Sequence, residues 1–205
     1  MSIFRFCLCS MLLTFALYTT GFSQTQKGNQ ILSAGIGIFS PNKLGGFPDH
    51  MFEYQIVKDP IVQYRVSVVD RTNFPTLHIS YAYALNKKFT LGVTGAYENS
   101  TGSFKQDNEI VGNFRHQYLT VAVEGKYLYL NRPDFCIYGS LGLGGQIYSQ
   151  NDKFPQASTF INSKSYNFNA FISPIGIRYG KQLGGFLEAG FGYKGILNAG
   201  VSYRL

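Results

Sequence analysis

From Gln30 onward the apolar residues recur at every second position, the period of a strand whose two faces meet different surroundings. Over Pro75–Leu85, Leu77, Ile79, Tyr81, Tyr83 and Leu85 share one parity, and Thr76, His78, Ser80, Ala82 and Ala84 share the other. Phe89, Leu91, Val93 and Tyr97 alternate with Thr90, Gly92, Thr94, Ala96 and Glu98. Leu119, Val121, Val123, Tyr127 and Tyr129 oppose Thr120, Ala122, Glu124 and Lys126. Leu187, Ala189, Phe191 and Tyr193 oppose Glu188, Gly190, Gly192 and Lys194, and Leu197, Ala199, Val201, Tyr203 and Leu205 oppose Asn198, Gly200, Ser202 and Arg204. The pattern predicts strands over 31–40, 75–85, 88–98, 114–130, 134–149, 166–180, 185–194 and 195–205. Most reach about ten residues, the length of a tilted membrane-crossing strand and well beyond the globular average of about five or six.

The connections alternate in size. Asn86-Lys87, Asn131-Arg132-Pro133 and Gln182-Leu183-Gly184 are short, whereas 41–74, 99–113 and 150–165 are expected to be long polar loops. Short turns on one side and long loops on the other mark a transmembrane barrel. The short Lys194-Gly195 connection is the exception. Tyr83, Phe89, Tyr127, Tyr129, Phe135, Tyr179 and Tyr203 are placed near the short-turn rim, and Tyr97 and Tyr193 near the opposite one, as an interfacial girdle requires. In hydrocarbon every backbone N–H and C=O needs an internal partner, so the sheet must close. The expected fold is therefore all-β, an antiparallel up-and-down transmembrane barrel of eight strands. Val62, Tyr64, Val66 and Val68 also alternate, and read as a hairpin with 52–58 inside the first outer loop. A ten-strand barrel using both segments stays open.

Composition agrees. Only 14% of the residues are charged, too few to cover a water-facing surface, and 16% are aromatic with no Trp. The 45% hydrophobic content excludes disorder, and past the first 22 residues no apolar run is long enough for a membrane helix. Arg5, the apolar run Phe6–Tyr18 and the small residues before Gln24 read as a signal peptide over 1–23, leaving the barrel domain as 24–205. Cys7 and Cys9 leave with it, and Cys136 alone can form no disulfide within the chain. The net charge is +7, or +6 without Arg5.

With Ser80-Tyr81-Ala82-Tyr83-Ala84-Leu85 and the ending Gly200-Val201-Ser202-Tyr203-Arg204-Leu205, the chain resembles the small eight-stranded outer-membrane barrels of the OmpA/OmpX type in Gram-negative bacteria. The resemblance spans nearly all of 30–205 and implies location in the cell outer membrane. It also implies that the insertion machinery reads the C-terminal strand. That family usually ends on an aromatic residue; here the last residue is Leu205, with Tyr203 two before it.

Gly190-Phe191-Gly192-Tyr193-Lys194-Gly195 matches the dinucleotide fingerprint G-x-G-x-x-G, but a strand follows where that site needs a helix. His78 and Ser80 with Glu98 on the next strand form a conceivable catalytic set, weakly similar to the His-x-Ser pair of lipid A deacylases; ordinary lumen polarity is the simpler reading. His50, His78 and His116 lack metal-ligand spacing. No catalytic residue, metal or cofactor is expected.

The informative set is the charges on the polar parity: Glu98, Glu124, Lys126, Arg178, Glu188, Lys194 and Arg204, all read as lying within strands. Three acids against four bases suggest a mutually neutralising lumen network and not a selectivity ring. The leading reading is a plugged barrel with a structural or surface-interaction role through its outer loops. The alternatives are a small channel, a lipid-modifying barrel enzyme and a secreted lipocalin-like barrel with an apolar pocket. Expected partners are outer-membrane lipid and lipopolysaccharide, whose phosphates Lys43, Lys105, Lys153 and Lys164 would meet, together with an unidentified extracellular ligand. No nucleic-acid partner is expected.

Overall fold

The computed structural model describes residues 25–40, 54–58, 63–106, 109–154 and 159–205. The signal segment 1–23, Lys43 and His50 lie outside them. Ten strands follow in chain order: β1 Gln30–Ile38, β2 Tyr54–Lys58, β3 Gln63–Asn73, β4 Thr76–Ala84, β5 Phe89–Gln106, β6 Glu109–Asn131, β7 Phe135–Phe154, β8 Thr159–Tyr179, β9 Leu183–Gly192 and β10 Leu197–Arg204.

Eight of them close a ring. β1 pairs with β4, β4 with β5, and neighbours then pair in sequence to β10, which returns antiparallel to β1 with Ile31 opposite Arg204 and Ile38 opposite Leu197. Following partners round the ring from Ile38 returns to β1 near Gly28, about ten residues lower, and that stagger tilts the strands as closure requires. The remaining two strands form the hairpin expected within the first outer segment, Tyr54 opposite Ser67 and Lys58 opposite Gln63. β3 lies in line with β4 along the same edge of β5: β4 pairs with Thr90–Tyr97, and β3 with Ser100–Lys105. The ring count is eight, and the hairpin extends the wall above it.

The stretches 99–113 and 150–165 are corrected by the structure. They are largely strand, because β5 runs to Gln106, β6 begins at Glu109, β7 reaches Phe154 and β8 begins at Thr159. Apart from exposed Ile110 their outward residues are polar, so they carry no apolar stripe to announce a strand. The backbone ladder nonetheless continues, with Thr101 opposite Arg115 and Asn151 opposite Asn162.

The alternation below is as read. Leu77, Ile79, Leu91, Val93, Val121, Val123, Leu187 and Val201 are exposed on the outer wall, while Thr94, Ala96, Ala122, Glu124 and Glu188 are buried inside. An apolar exterior around a polar interior excludes the lipocalin-like arrangement, which is its inverse, and marks a transmembrane barrel. Tyr83, Tyr127, Tyr129 and Tyr179 are exposed at the short-turn rim. Tyr193 is corrected: it is 1% exposed and points into the lumen. The strand alternation ends at Gly192, whose φ of 137° no L side chain adopts readily, and Gly195 at φ 100° completes the turn. This also explains the G-x-G-x-x-G match, since two of its glycines are there for the turn.

Candidate functional site: the charged lumen

The lumen is filled by a small-and-large alternation. Bulky inward side chains sit opposite glycines, as Tyr193 does over Gly142, where any Cβ would collide with its hydroxyl. At mid-height four charges meet. Glu124 comes from β6, Lys126 from the next inward position on the same strand, Glu188 from β9, and Lys194 from the β9–β10 turn. Lys194 is thus not a strand residue. Its side chain keeps the inward side that its parity predicts, and the turn at Gly192 brings Tyr193 inward beside it.

Lys194 Nζ donates to Glu124 Oε1 at 2.8 Å and to Glu188 Oε2 at 3.1 Å. Lys126 Nζ donates to Glu188 Oε1 at 3.1 Å and lies 3.5 Å from Glu124 Oε1. Each carboxylate is therefore bridged by both ammonium groups. Neutral donors complete the set: Thr94 Oγ1 to Glu124 Oε2 at 3.0 Å, Tyr193 Oη to the same oxygen at 3.2 Å, and Tyr138 Oη to Glu188 Oε1 at 2.9 Å. Aromatic faces close over the cations, Phe171 at 4.4 Å from Lys194 Nζ and Tyr138 at 5.0 Å from Lys126 Nζ. Ions taken this far out of water are tolerable only when paired and hydrogen-bonded on every side, and here the pairs are charge-neutral as a group.

The other predicted charges lie apart from this tetrad. Glu98 sits higher, where Thr76 Oγ1 donates to its Oε2 at 3.3 Å. Arg178 sits at the end of the barrel where Ile31 pairs with Arg204. It clamps the β8–β9 turn through the carbonyls of Gly180 (2.6 Å), Lys181 (2.9 Å) and Gln182 (3.0 Å), and its Nε donates to Ser202 Oγ at 2.7 Å. Arg204 lies at the same end, its Nη2 being 3.9 Å from Cys136 Sγ.

The His78, Ser80 and Glu98 set is not assembled for catalysis. Both ring nitrogens of His78 lack a hydrogen-bond partner, and the ring packs at 6.1 Å from that of Phe186. Among the described residues no group of His, Cys, Asp or Glu has metal-binding geometry.

Sequence reasoning did not single out Tyr138, Tyr193 and Thr94 as partners of the network, nor the His116–Asp152 contact at 3.2 Å above it. An aromatic residue among glycines and serines in Tyr138-Gly139-Ser140 was the available signal for the first.

No family model matches the sequence, and no curated protein matches it significantly. Among solved structures, the chain is similar to Ail, the attachment invasion locus protein of Yersinia pestis. Identity is 12%, coverage is 87% of this chain and 99% of that one, and the TM-score is 0.44. Ail in complex with the heparin analogue sucrose octasulfate gives 14% identity, the same coverage and a TM-score of 0.44. The outer membrane protein OprG of Pseudomonas aeruginosa gives 11% identity, 90% and 99% coverage and a TM-score of 0.47. The closed eight-strand ring itself, not these likenesses, carries the assignment of fold.

Proposed function

We propose that the chain is an integral outer-membrane barrel whose lumen is plugged, and whose work is done by the wall it raises above the membrane. The observation that supports the plug is the neutral tetrad of Glu124, Lys126, Glu188 and Lys194, bridged at 2.8–3.5 Å across the barrel. Eight strands leave an interior that side chains can fill, whereas water-filled porins need about 16–18. A ring of one charge sign would favour conduction; a neutral cluster bonded to itself opposes it. The seam between β10 and β1 is the part offered to the insertion machinery, and loop-borne binding of an extracellular ligand is the remaining role.

Planar-bilayer conductance of the purified barrel tests the plug. The expected record is silent, and steady ion-selective openings would replace this reading with a channel. Recovery of the folded chain in a detergent-free periplasmic extract would overturn the membrane location. Lipopolysaccharide is the proposed lipid partner, met by Lys43, Lys105, Lys153 and Lys164. Exposed Arg115 faces outward beside Lys153, across Asn113 and Asn151, and joins them. Unchanged lipopolysaccharide binding after neutralising these five would dispose of that partner.

A further inference from the structure

Charge is balanced at mid-lumen and unbalanced at the terminal end. Among the described residues neither Arg178 nor Arg204 has a carboxylate within ion-pair distance, since both lumen glutamates nearby are taken by Lys126 and Lys194. Arg178 is 6% exposed and Arg204 4% exposed, so two positive charges lie out of water with no counter-charge. Arg178 at least satisfies its donors on backbone carbonyls and Ser202. Arg204 does not: its Nε and Nη1 are buried and lack any hydrogen-bond partner.

These groups line one cavity of about 40 Å³, together with Thr90, Lys126, Cys136 and Ser202. The Thr90 hydroxyl, buried at 2% exposure, also has no partner. A space of this size holds a few waters or one small ion, given that a single water needs roughly 10–15 Å³. Unpartnered guanidinium N–H groups and a hydroxyl beside a cavity whose remaining wall is largely apolar, with Ile31, Leu128 and Phe186 in it, are a costly arrangement when unpaired and a well-matched one when an oxyanion is present.

We propose that the terminal end of the lumen is an anion site in which Arg204, Arg178 and Thr90 hold a small oxyanion such as inorganic phosphate. The ion supplies the missing negative charge and accepts from Arg204 Nε and Nη1 and from the Thr90 hydroxyl. Arg178, already fixed by the β8–β9 turn, contributes field more than new hydrogen bonds. The site borders the tetrad at Lys126 but uses none of the tetrad's hydrogen bonds, and it does not depend on the lumen being closed to conduction.

The test uses the folded full barrel in phospholipid-free non-ionic detergent at constant ionic strength. Inorganic phosphate, followed by ³¹P line broadening and by the unfolding midpoint, is expected to bind saturably at one per chain and raise the midpoint; no saturable binding would overturn the proposal. Arg204→Gln should weaken binding about tenfold or more, since it removes hydrogen bonds to a charged group. Thr90→Val, which leaves every charge in place, should weaken it several-fold, so that a folding defect in Arg204→Gln alone does not decide the matter. Wild-type affinity in both variants would overturn the assignment. So would an equal response to chloride, which would remove the preference for an oxyanion. A midpoint rise seen only in anionic phospholipid vesicles without added phosphate would transfer the oxyanion to a lipid headgroup and overturn the free-ion site.

Discussion

Strands β5 to β8 pass through two environments, and the rule for which side chain goes inside reverses between them. In the lower half of β6, Val121 and Val123 face out while Glu124 is buried. In the upper half of the same strand, Asn113 and Arg115 face out while Phe114 is buried, packed with Phe104 and Phe154 and flanked by Val111 and Ile161. The ring centroids of Phe104 lie 5.3 Å from Phe114 and 5.0 Å from Phe154. Apolar residues go where water is absent. In the membrane that is the outer face, and above it the inner one. A single ladder of backbone hydrogen bonds carries both codes, so strand continuity and side-chain pattern are independent facts about this protein.

Glu188→Ala should break the lower half most severely. It removes one corner of the tetrad and leaves Lys126 and Lys194 sharing Glu124, at a cost of about 3–5 kcal/mol. Urea unfolding in lipid vesicles reads this, and a change under about 1 kcal/mol would show that the pairs do not hold the barrel.

Phe104→Ala should cost about 3 kcal/mol or more, but locally. Hydrogen exchange should quicken at the upper ends of β5, β6 and β7 while the global midpoint stays in place. A matching fall of the global midpoint would show that the raised wall and the barrel unfold as one unit.

The outer face gives the sharpest contrast within one strand. Val121→Arg, like Val93→Arg on β5, should cost about 2–4 kcal/mol at the bilayer midplane. Asn113→Arg, on the same strand and the same outward parity, should change stability by less than about 0.5 kcal/mol. Equal costs at Val121 and Asn113 would place both in the same solvent and dissolve the comparison. The smallest effect is expected from Lys153→Gln alone, about 0.2–1 kcal/mol in lipopolysaccharide binding and weaker still at high salt.

The lower barrel was legible in the sequence because membrane hydrocarbon imposes a strict parity: Leu77 to Tyr83 and Leu119 to Tyr129 could be assigned to a face without any coordinates. The upper ends were not, because Asn113, Arg115, Asn151 and Lys153 face water and offer no apolar period to read. Parity also assigns a face but no height, so Arg178 and Arg204 looked like members of one network with Glu124 and Glu188 when they lie at the terminal end. It fails altogether at a positive-φ residue. Tyr193 keeps the outward parity by counting, yet the turn at Gly192 brings it inward beside Lys194. The register shift opposite Tyr138 and Ser140 puts an extra residue into β8, where the buried parity passes from Phe171 and Ser173 to Gly176 and Arg178.

The turn at Tyr193–Lys194 has a consequence for the order in which the protein can assemble. Lys194 meets Glu124 across 70 residues of sequence, and it is delivered by the last hairpin of the chain. Until β9 and β10 arrive, Glu124 has only Lys126, and β1 has no partner on its β10 side. The same hairpin therefore brings the final cation, the second carboxylate and the strand that seals the ring. Without that hairpin the chain holds an open edge and a Glu124–Lys126 pair at 3.5 Å that lacks its shorter bridges, and both deficits are made good together. Ring closure is thereby coupled to completion of the tetrad, so that an open barrel is also one whose buried charges are under-bridged.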